Sequence, residues 1–356
     1  MRFVRMINCK PEMMVARAIY GPYGVLMLNE GSKLSPRIIN ALGKLGYPGL
    51  YIEDDFSKDV VPEEVIEDSM RKDAMMLAKE MFSKAALANK EKNAQAFEAI
   101  SGVLGDMVDH VFASDHAVVN VPLLKSFDEY TYQHSVDVAV LCICLGKALN
   151  MSKSDVVNLG KTAFFHDIGK MLIPKAILNK PGKLTKEEAV VMRKHAERSF
   201  DFTKVALGQP TLINRGVLCH HERYDGTGYP FKLKGDEIPI FAQIIAIADV
   251  FDAMGSARVY RKSQLATEGY EYILASSGHH FSPKVVETFA KTIAPFPVGI
   301  TVKLSNGLNG IVIRNNSSLM MRPLVRAFDP IYPGDYEYIN LSNDPNALDI
   351  TIVGVV

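Results

Sequence analysis

Histidines and aspartates recur inside apolar helical runs in the middle of this chain, and this recurrence limits its possible folds more than any other feature. His134 lies in DEYTYQHSVDVAVL, His166 and Asp167 in FFHDIGK, His195 in EEAVVMRKHAERS, and Asp249 in IIAIADVFDAM. His220 and His221 open HHERYDGTGYP, where Gly226, Gly228 and Pro230 forbid a long regular element past Tyr224. A polar side chain on an apolar helix face is costly unless it is paired or ligates something. One such histidine alone reads as a satisfied core residue. Five histidines and two aspartates in this arrangement require several helices to converge on something they share.

The donor types say what that is. Imidazole nitrogen with carboxylate oxygen suits Fe, Mn, Zn or Co, whereas Ca takes oxygen alone. The four cysteines, Cys9, Cys142, Cys144 and Cys219, form no zinc knuckle or disulfide framework, and Cys142 and Cys144 sit in the apolar run VDVAVLCICLGKAL. Seven ligands exceed one tetrahedral ion and a carboxylate can bridge, so two ions are the natural count. Two ions about 3.5 to 4 Å apart clamp a phosphoryl group and hold a hydroxide between them. The chemistry implied is hydrolysis of a phosphate ester.

The chain of 356 residues is long enough for several cores. Four regions differ in pattern. Residues 1–60 read as a small α+β module of two or three short strands with one helix, SPRIINALGKL, N-capped by Ser35 with Pro36 in its first turn. Across residues 61–116 glycine and proline nearly vanish. Apolar residues there fall in steps of three and four, from Met70, Ala74, Leu77 and Met81 to Ile100, Val103, Met107 and Val111. This predicts one long linker helix whose weak seam could pair with a second copy, making a homodimer through residues 62–116. Residues 117–295 are the helical region that holds the histidines. Residues 296–356 alternate β-branched positions with NG turns, which predicts a small barrel or sandwich of about five strands. The expected fold class is mainly α, with a small α+β module before the helical domain and a small β-rich module after it.

With 48% apolar and 22% charged residues and a formal net charge of zero, the chain is not built to hold polymeric nucleic acid or a membrane surface through bulk charge. It contains no run of 18 apolar residues, and MRFVRMINCKPEMM lacks the apolar core of a signal peptide. The expected location is the cytoplasm.

HDIGK at 166–170, IPKAILNKPGKLTKEE at 173–188, HHERYDGTGYP at 220–230 and IIAIADVFDAM at 244–254 occur in this order. In these motifs the chain, from about Val119 to Pro295, resembles the HD-GYP phosphodiesterases, HD-superfamily proteins that degrade cyclic di-GMP. The resemblance implies that His134, His166, Asp167 and Asp249 hold a first metal. Asp167 would bridge to a second metal completed by His195, His220 and His221. Fe or Mn is the implied metal, and the implied products are linear pGpG, GMP or both. A bridging hydroxide would attack phosphorus, and Lys170 would contact the phosphate and neutralise developing charge. Tyr229, Arg258 and Arg261 match positions that contact the cyclic dinucleotide, and Asp252 would either join them or orient a ligand.

The chain departs from the family pattern in several places. Tyr130 stands where relatives with a third metal carry glutamate, and Glu129 is one residue off, so a binuclear site is expected. Ala196 replaces a common proline, Ser199 a common glycine, Gln243 a frequent arginine and Gly255 a usual threonine. These changes remove no ligand but bear on the shape of the substrate pocket. Three other readings stay open: a hydrolase of another cyclic dinucleotide, a diiron oxygenase of the superfamily, and a dinucleotide sensor without turnover.

Overall fold

The computed structural model describes residues 1–21, 26–57, 59–62, 65–85, 90–114, 119, 130–255, 266–331 and 335–356. The chain opens with strands β1 (Arg2–Arg5), β2 (Met14–Val15), β3 (Ile19–Tyr20) and β4 (Leu26–Leu28), then helix α1 (Pro36–Lys44) and strand β5 (Gly49–Glu53). β5 is central in a three-stranded sheet of order β1-β5-β2, and β3 pairs with β4. The Ser35 side chain accepts from the Ile38 N–H, and Pro36 supplies the first helical residue. This is the expected α+β module with two or three more strands than the sequence suggested. Strands as short as β2 and β3 carry too few residues for their alternation to be read.

The expected single linker helix is instead two helices, α2 (Asp68–Ala85) and α3 (Lys90–Ala113), packed on each other and on the helical domain. The apolar stripe is buried inside the chain: Ala74, Met81, Ile100, Met107 and Val111 lie in the same core as the central helices. Phe82 packs edge-on against Phe164, and Phe97 stacks on Phe165 with ring centroids 5.5 Å apart. Periodicity reports which face is apolar but not what covers it. Here the chain's own helices cover it, so the seam expected to pair two copies is already used.

The helical domain continues with α4 (Tyr130–Ala148), α5 (Lys153–Phe165), the short α6 (Lys175–Leu178), α7 (Lys186–Asp201), α8 (Thr211–Cys219), α9 (Ile240–Gly255), α10 (Ala266–Ala275) and α11 (Pro283–Thr292). α4 is the axis. Its residues 134–145 are all buried, and it packs against α2, α3, α5, α9 and α11. That is what a helix apolar on every side must do. α7 begins with a capping box in which Thr185 and Glu188 exchange hydrogen bonds.

Strands β6 (Thr301–Leu304), β7 (Asn309–Arg314), β8 (Leu324–Phe328), β9 (Tyr336–Asn340) and β10 (Ile352–Val355) close the chain in one antiparallel sheet of order β10-β6-β7-β8-β9. The strand count is as expected, but the strands form a single sheet over their own core of Phe296, Val302, Val312, Val325 and Ile339. The sheet also docks on the first module. The Phe3 N–H donates to the Gly299 carbonyl at 2.8 Å.

Candidate metal centre

Seven side chains predicted from sequence meet at the middle of the helical domain. Their donor atoms fall into two sets, each within 4.8 Å: His134, His166, Asp167 and Asp249, and Asp167, His195, His220 and His221. Asp167 belongs to both. Its Oδ2 faces the first set, 3.3 Å from His166 Nε2 and 3.5 Å from His134 Nε2. Its Oδ1 faces the second, 3.3 Å from His195 Nε2. His134 Nε2 lies 3.1 Å from Asp249 Oδ1, and His195 Nε2 lies 3.4 Å and 3.0 Å from the Nε2 atoms of His220 and His221.

Local helix geometry sets the imidazole tautomers. His166, His195 and His220 each place Nδ1 on the carbonyl three residues back, of Ala163, Met192 and Val217, at 2.6, 2.8 and 2.6 Å. A carbonyl only accepts, so Nδ1 carries the proton and Nε2 presents a lone pair to the site. His166 and His220 achieve this as the residues directly after α5 and α8. His134 does the same with a side chain, its Nδ1 lying 2.8 Å from Asp252 Oδ2. Asp252 is 2% exposed, so the structure places it behind a ligand and away from the rim where a substrate contact would lie.

The electrostatics match these tautomers. Burial, reinforced by the neighbouring imidazoles, pushes His220 well below the usual histidine range and brings His221 to about 3. Burial also lowers His195, against the opposing pull of Asp167. Burial opposes ionisation of Asp167, but Lys170 and His166 outweigh it and hold the carboxyl well below its ordinary value. Asp249 is likewise held low against burial, with His134 the foremost neighbour favouring its ionised form. Neutral imidazoles beside ionised carboxylates are the protonation states that metal ligation requires.

The residues fit divalent ions. His166 Nε2 and Asp167 Oδ1 are buried and make no hydrogen bond, an expensive state for polar atoms that a cation between them would relieve. Both sets combine nitrogen and oxygen donors, and among the described residues no cysteine joins either.

The rim is built by the loop after α8. Tyr229 stacks on His221 with centroids 4.8 Å apart. A Cβ on Gly228 would lie 2.3 Å from the Arg223 backbone nitrogen, so only glycine lets the loop close this tightly. Lys170 contacts Asp167 Oδ2 and is 23% exposed. It follows His166 in a 3-10 segment, Ile168–Leu172. Arg258 and Arg261 lie outside the described residues.

Four residues to which sequence reading gave no definite role shape the site. Glu222, 2% exposed, accepts from the N–H groups of Phe231 and Leu233 at 2.7 and 3.1 Å and so pins the far side of the Tyr229 loop. Its position beside His221 was the available signal. Arg193 lies over the Tyr229 ring. Ser199, noted only as a departure, accepts from the Gly169 N–H at 2.8 Å, where a Cβ on Gly169 would meet the His195 carbonyl at 2.2 Å. This contact seats the segment bearing Asp167 and Lys170 directly on α7. Gln243, another departure, donates to the Ile238 carbonyl at 2.8 Å and supports the start of α9.

A mainly α domain that presents two metal donor sets around one shared aspartate is the architecture of an HD domain, and residues 118–285 match the HD domain family. Over 268 residues the chain is 36% identical to cyclic di-GMP phosphodiesterase PA4108 of Pseudomonas aeruginosa, covering 74% of this chain and 64% of that one. It is 39% identical over 176 residues to a cyclic di-GMP phosphodiesterase of Thermotoga maritima, covering 48% and 47%. It is 36% identical over 183 residues to 3'3'-cGAMP-specific phosphodiesterase 2 of Vibrio cholerae, covering 51% and 35%. The chain spans less than two thirds of the length of each of these relatives. In its HDIGK and HHERYDGTGYP segments, within the stretch that matches the HD domain family, the chain is similar to the HD-GYP branch of HD-domain proteins.

Proposed function

We propose that this protein is a metal-dependent phosphodiesterase that hydrolyses cyclic di-GMP. One observation carries the reading: the two oxygens of the Asp167 carboxylate face two separate sets of histidine donors. Two divalent ions, Fe or Mn, would be held by these sets and would supply hydroxide at neutral pH and a clamp for phosphoryl oxygens. The chain's own residues do the rest. The carbonyls of Ala163, Met192 and Val217 keep the imidazoles in the ligating tautomer. Lys170 puts a positive charge beside Asp167, where negative charge develops on the phosphoryl oxygens. Tyr229, held on His221 by the Glu222-pinned loop, forms the wall against which the nucleotide lies. The relatives named as cyclic di-GMP phosphodiesterases support this substrate.

A second reading of the substrate has its own support, since the Vibrio cholerae relative at the same 36% identity is named for 3'3'-cGAMP. Among the described residues no helix is long and apolar enough to cross a membrane. The free cysteines suit a reducing compartment, and we place the protein in the cytoplasm.

The test is turnover of cyclic di-GMP and 3'3'-cGAMP by anaerobically prepared protein with Fe(II), with Mn(II) and without metal, followed by identification of the product as linear dinucleotide or GMP. Metal analysis should give about two ions per chain. No hydrolysis under any metal condition overturns the phosphodiesterase reading, and a firm value near three ions overturns the binuclear one.

A further inference from the structure

We infer that Arg193 is a substrate-contact residue, held on Tyr229 so that its guanidinium grips the phosphodiester of a cyclic dinucleotide that is not at the metal centre. The inference deepens the proposed function and rests on it. Arg193 lies on α7 two residues before His195, a spacing that points the two side chains apart at their Cβ atoms. Its guanidinium nevertheless lies 5.1 Å from the centroid of the Tyr229 ring, and that ring stacks on His221. The positive charge therefore sits two ring contacts from the donor sets, on the exposed rim.

Arg193 makes no ion pair among the described residues, and its side chain is exposed. Lys170, the other cation beside the centre, is turned inward onto Asp167. Each cation thus has its own place: Lys170 at the reacting group and Arg193 at the rim. A cyclic dinucleotide carries two phosphodiesters on opposite sides of one small ring, so seating one at the donor sets presents the other to the rim. A guanidinium seated over a ring still has N–H donors to offer a ligand, and its fork suits a bidentate grip on phosphate oxygens. Tyr229 fixes the fork before the substrate arrives, which lowers the conformational entropy lost on binding.

The experiment compares the metal-loaded full chain with R193A, R193M and R193K. Each is assayed on cyclic di-GMP, on 3'3'-cGAMP and on bis(p-nitrophenyl) phosphate, which carries a single phosphodiester. Binding of a hydrolysis-resistant phosphorothioate analogue of cyclic di-GMP is measured by calorimetry. R193A and R193M should raise KM for both cyclic dinucleotides by about tenfold or more, with kcat little changed. Analogue affinity should weaken in parallel, and turnover of bis(p-nitrophenyl) phosphate should be unaffected. R193K, which keeps the charge but loses the fork, should recover part of the loss.

R193M behaving as wild type would mean that only the packing of the stem on Tyr229 matters and would overturn the inference. An equal loss on bis(p-nitrophenyl) phosphate would overturn it in favour of a structural role. A change confined to the preference between the two cyclic dinucleotides would assign Arg193 to a base edge and overturn the phosphate contact. Wild-type protein that turns over none of the substrates overturns the proposed function itself, and this inference with it.

Discussion

Arg326 of β8 and Asp59, 267 residues apart in the chain, form a two-pronged ion pair, with Nη1 on Oδ1 at 2.8 Å and Nη2 on Oδ2 at 2.5 Å. Arg326 is 2% exposed, donates also to the Phe56 carbonyl and the Tyr338 hydroxyl, and lies over the rings of Tyr336 and Tyr338. The pair ties the C-terminal sheet to the end of the first module, beside the Phe3 to Gly299 hydrogen bond.

Hydrogen bonding from Arg326 pulls the Asp59 carboxyl down to about 2, against about 3.9 in the unfolded chain. The folded pKa is the lower one, so the pair's contribution is fully present above about pH 4 and is lost as pH falls towards 2. Asp59 is 61% exposed and well screened, so Asp59→Asn should lower stability by only about 1 kcal/mol near neutrality. Thermal melts at pH 7, 4 and 2.5 should show the gap between wild type and variant closing at the acid end. A gap constant over that range would show that Asp59 acts through something other than its charge.

Asp167→Ala should lose metal and all turnover, because it removes the one carboxylate that both donor sets share. Lys170→Ala should keep metal and lose rate by about tenfold to a thousandfold, the scale of one charge-stabilising donor. Metal analysis beside single-turnover assays separates the two. Loss of metal from the Lys170 variant would show that Lys170 maintains the site rather than assisting the reaction.

Asp252→Asn should leave the fold intact and weaken metal binding by about tenfold to a hundredfold. It weakens the partner that fixes the His134 ring and its tautomer at 2.8 Å. Titration with Mn(II) followed by calorimetry reads this directly, and unchanged affinity would remove Asp252 from the orienting role.

Glu222→Ala frees the Phe231 and Leu233 N–H groups that hold the Tyr229 loop. It should raise KM for the cyclic dinucleotide while metal content stays at the wild-type value. Gly228→Ala, whose Cβ would meet the Arg223 backbone at 2.3 Å, should have the same signature. Steady-state kinetics with metal analysis checks both. Loss of metal in either variant would place the loop's role in holding His221 instead.

The helical domain and its donor residues could be read from the sequence because the signals are local. Each histidine or aspartate follows or sits within an apolar helical run, and the cost of burying an unsatisfied polar group makes that pattern informative at a distance. The Ser35 cap and the five C-terminal strands are local in the same sense, set by residues within a few positions of each other. The fate of the stripe in residues 61–116 was not local. Its apolar steps fit either a partner chain or the chain itself, and the rings of Phe164 and Phe165 that meet Phe82 and Phe97 lie more than sixty positions downstream.

The rim of the site followed the same division. Arg193 stands two residues from His195, a spacing that points the side chains apart, and only the fold of the loop after α8 brings Tyr229 beneath its guanidinium. The ligand types were open to sequence reading because chemistry depends on which atoms are present, whereas their division around Asp167 was what the family resemblance implied. Which oxygen of Asp167 faces which histidines, which carbonyl holds each imidazole, and that Arg326 closes on Asp59 followed from packing, because those contacts join positions that become neighbours only when the core excludes water.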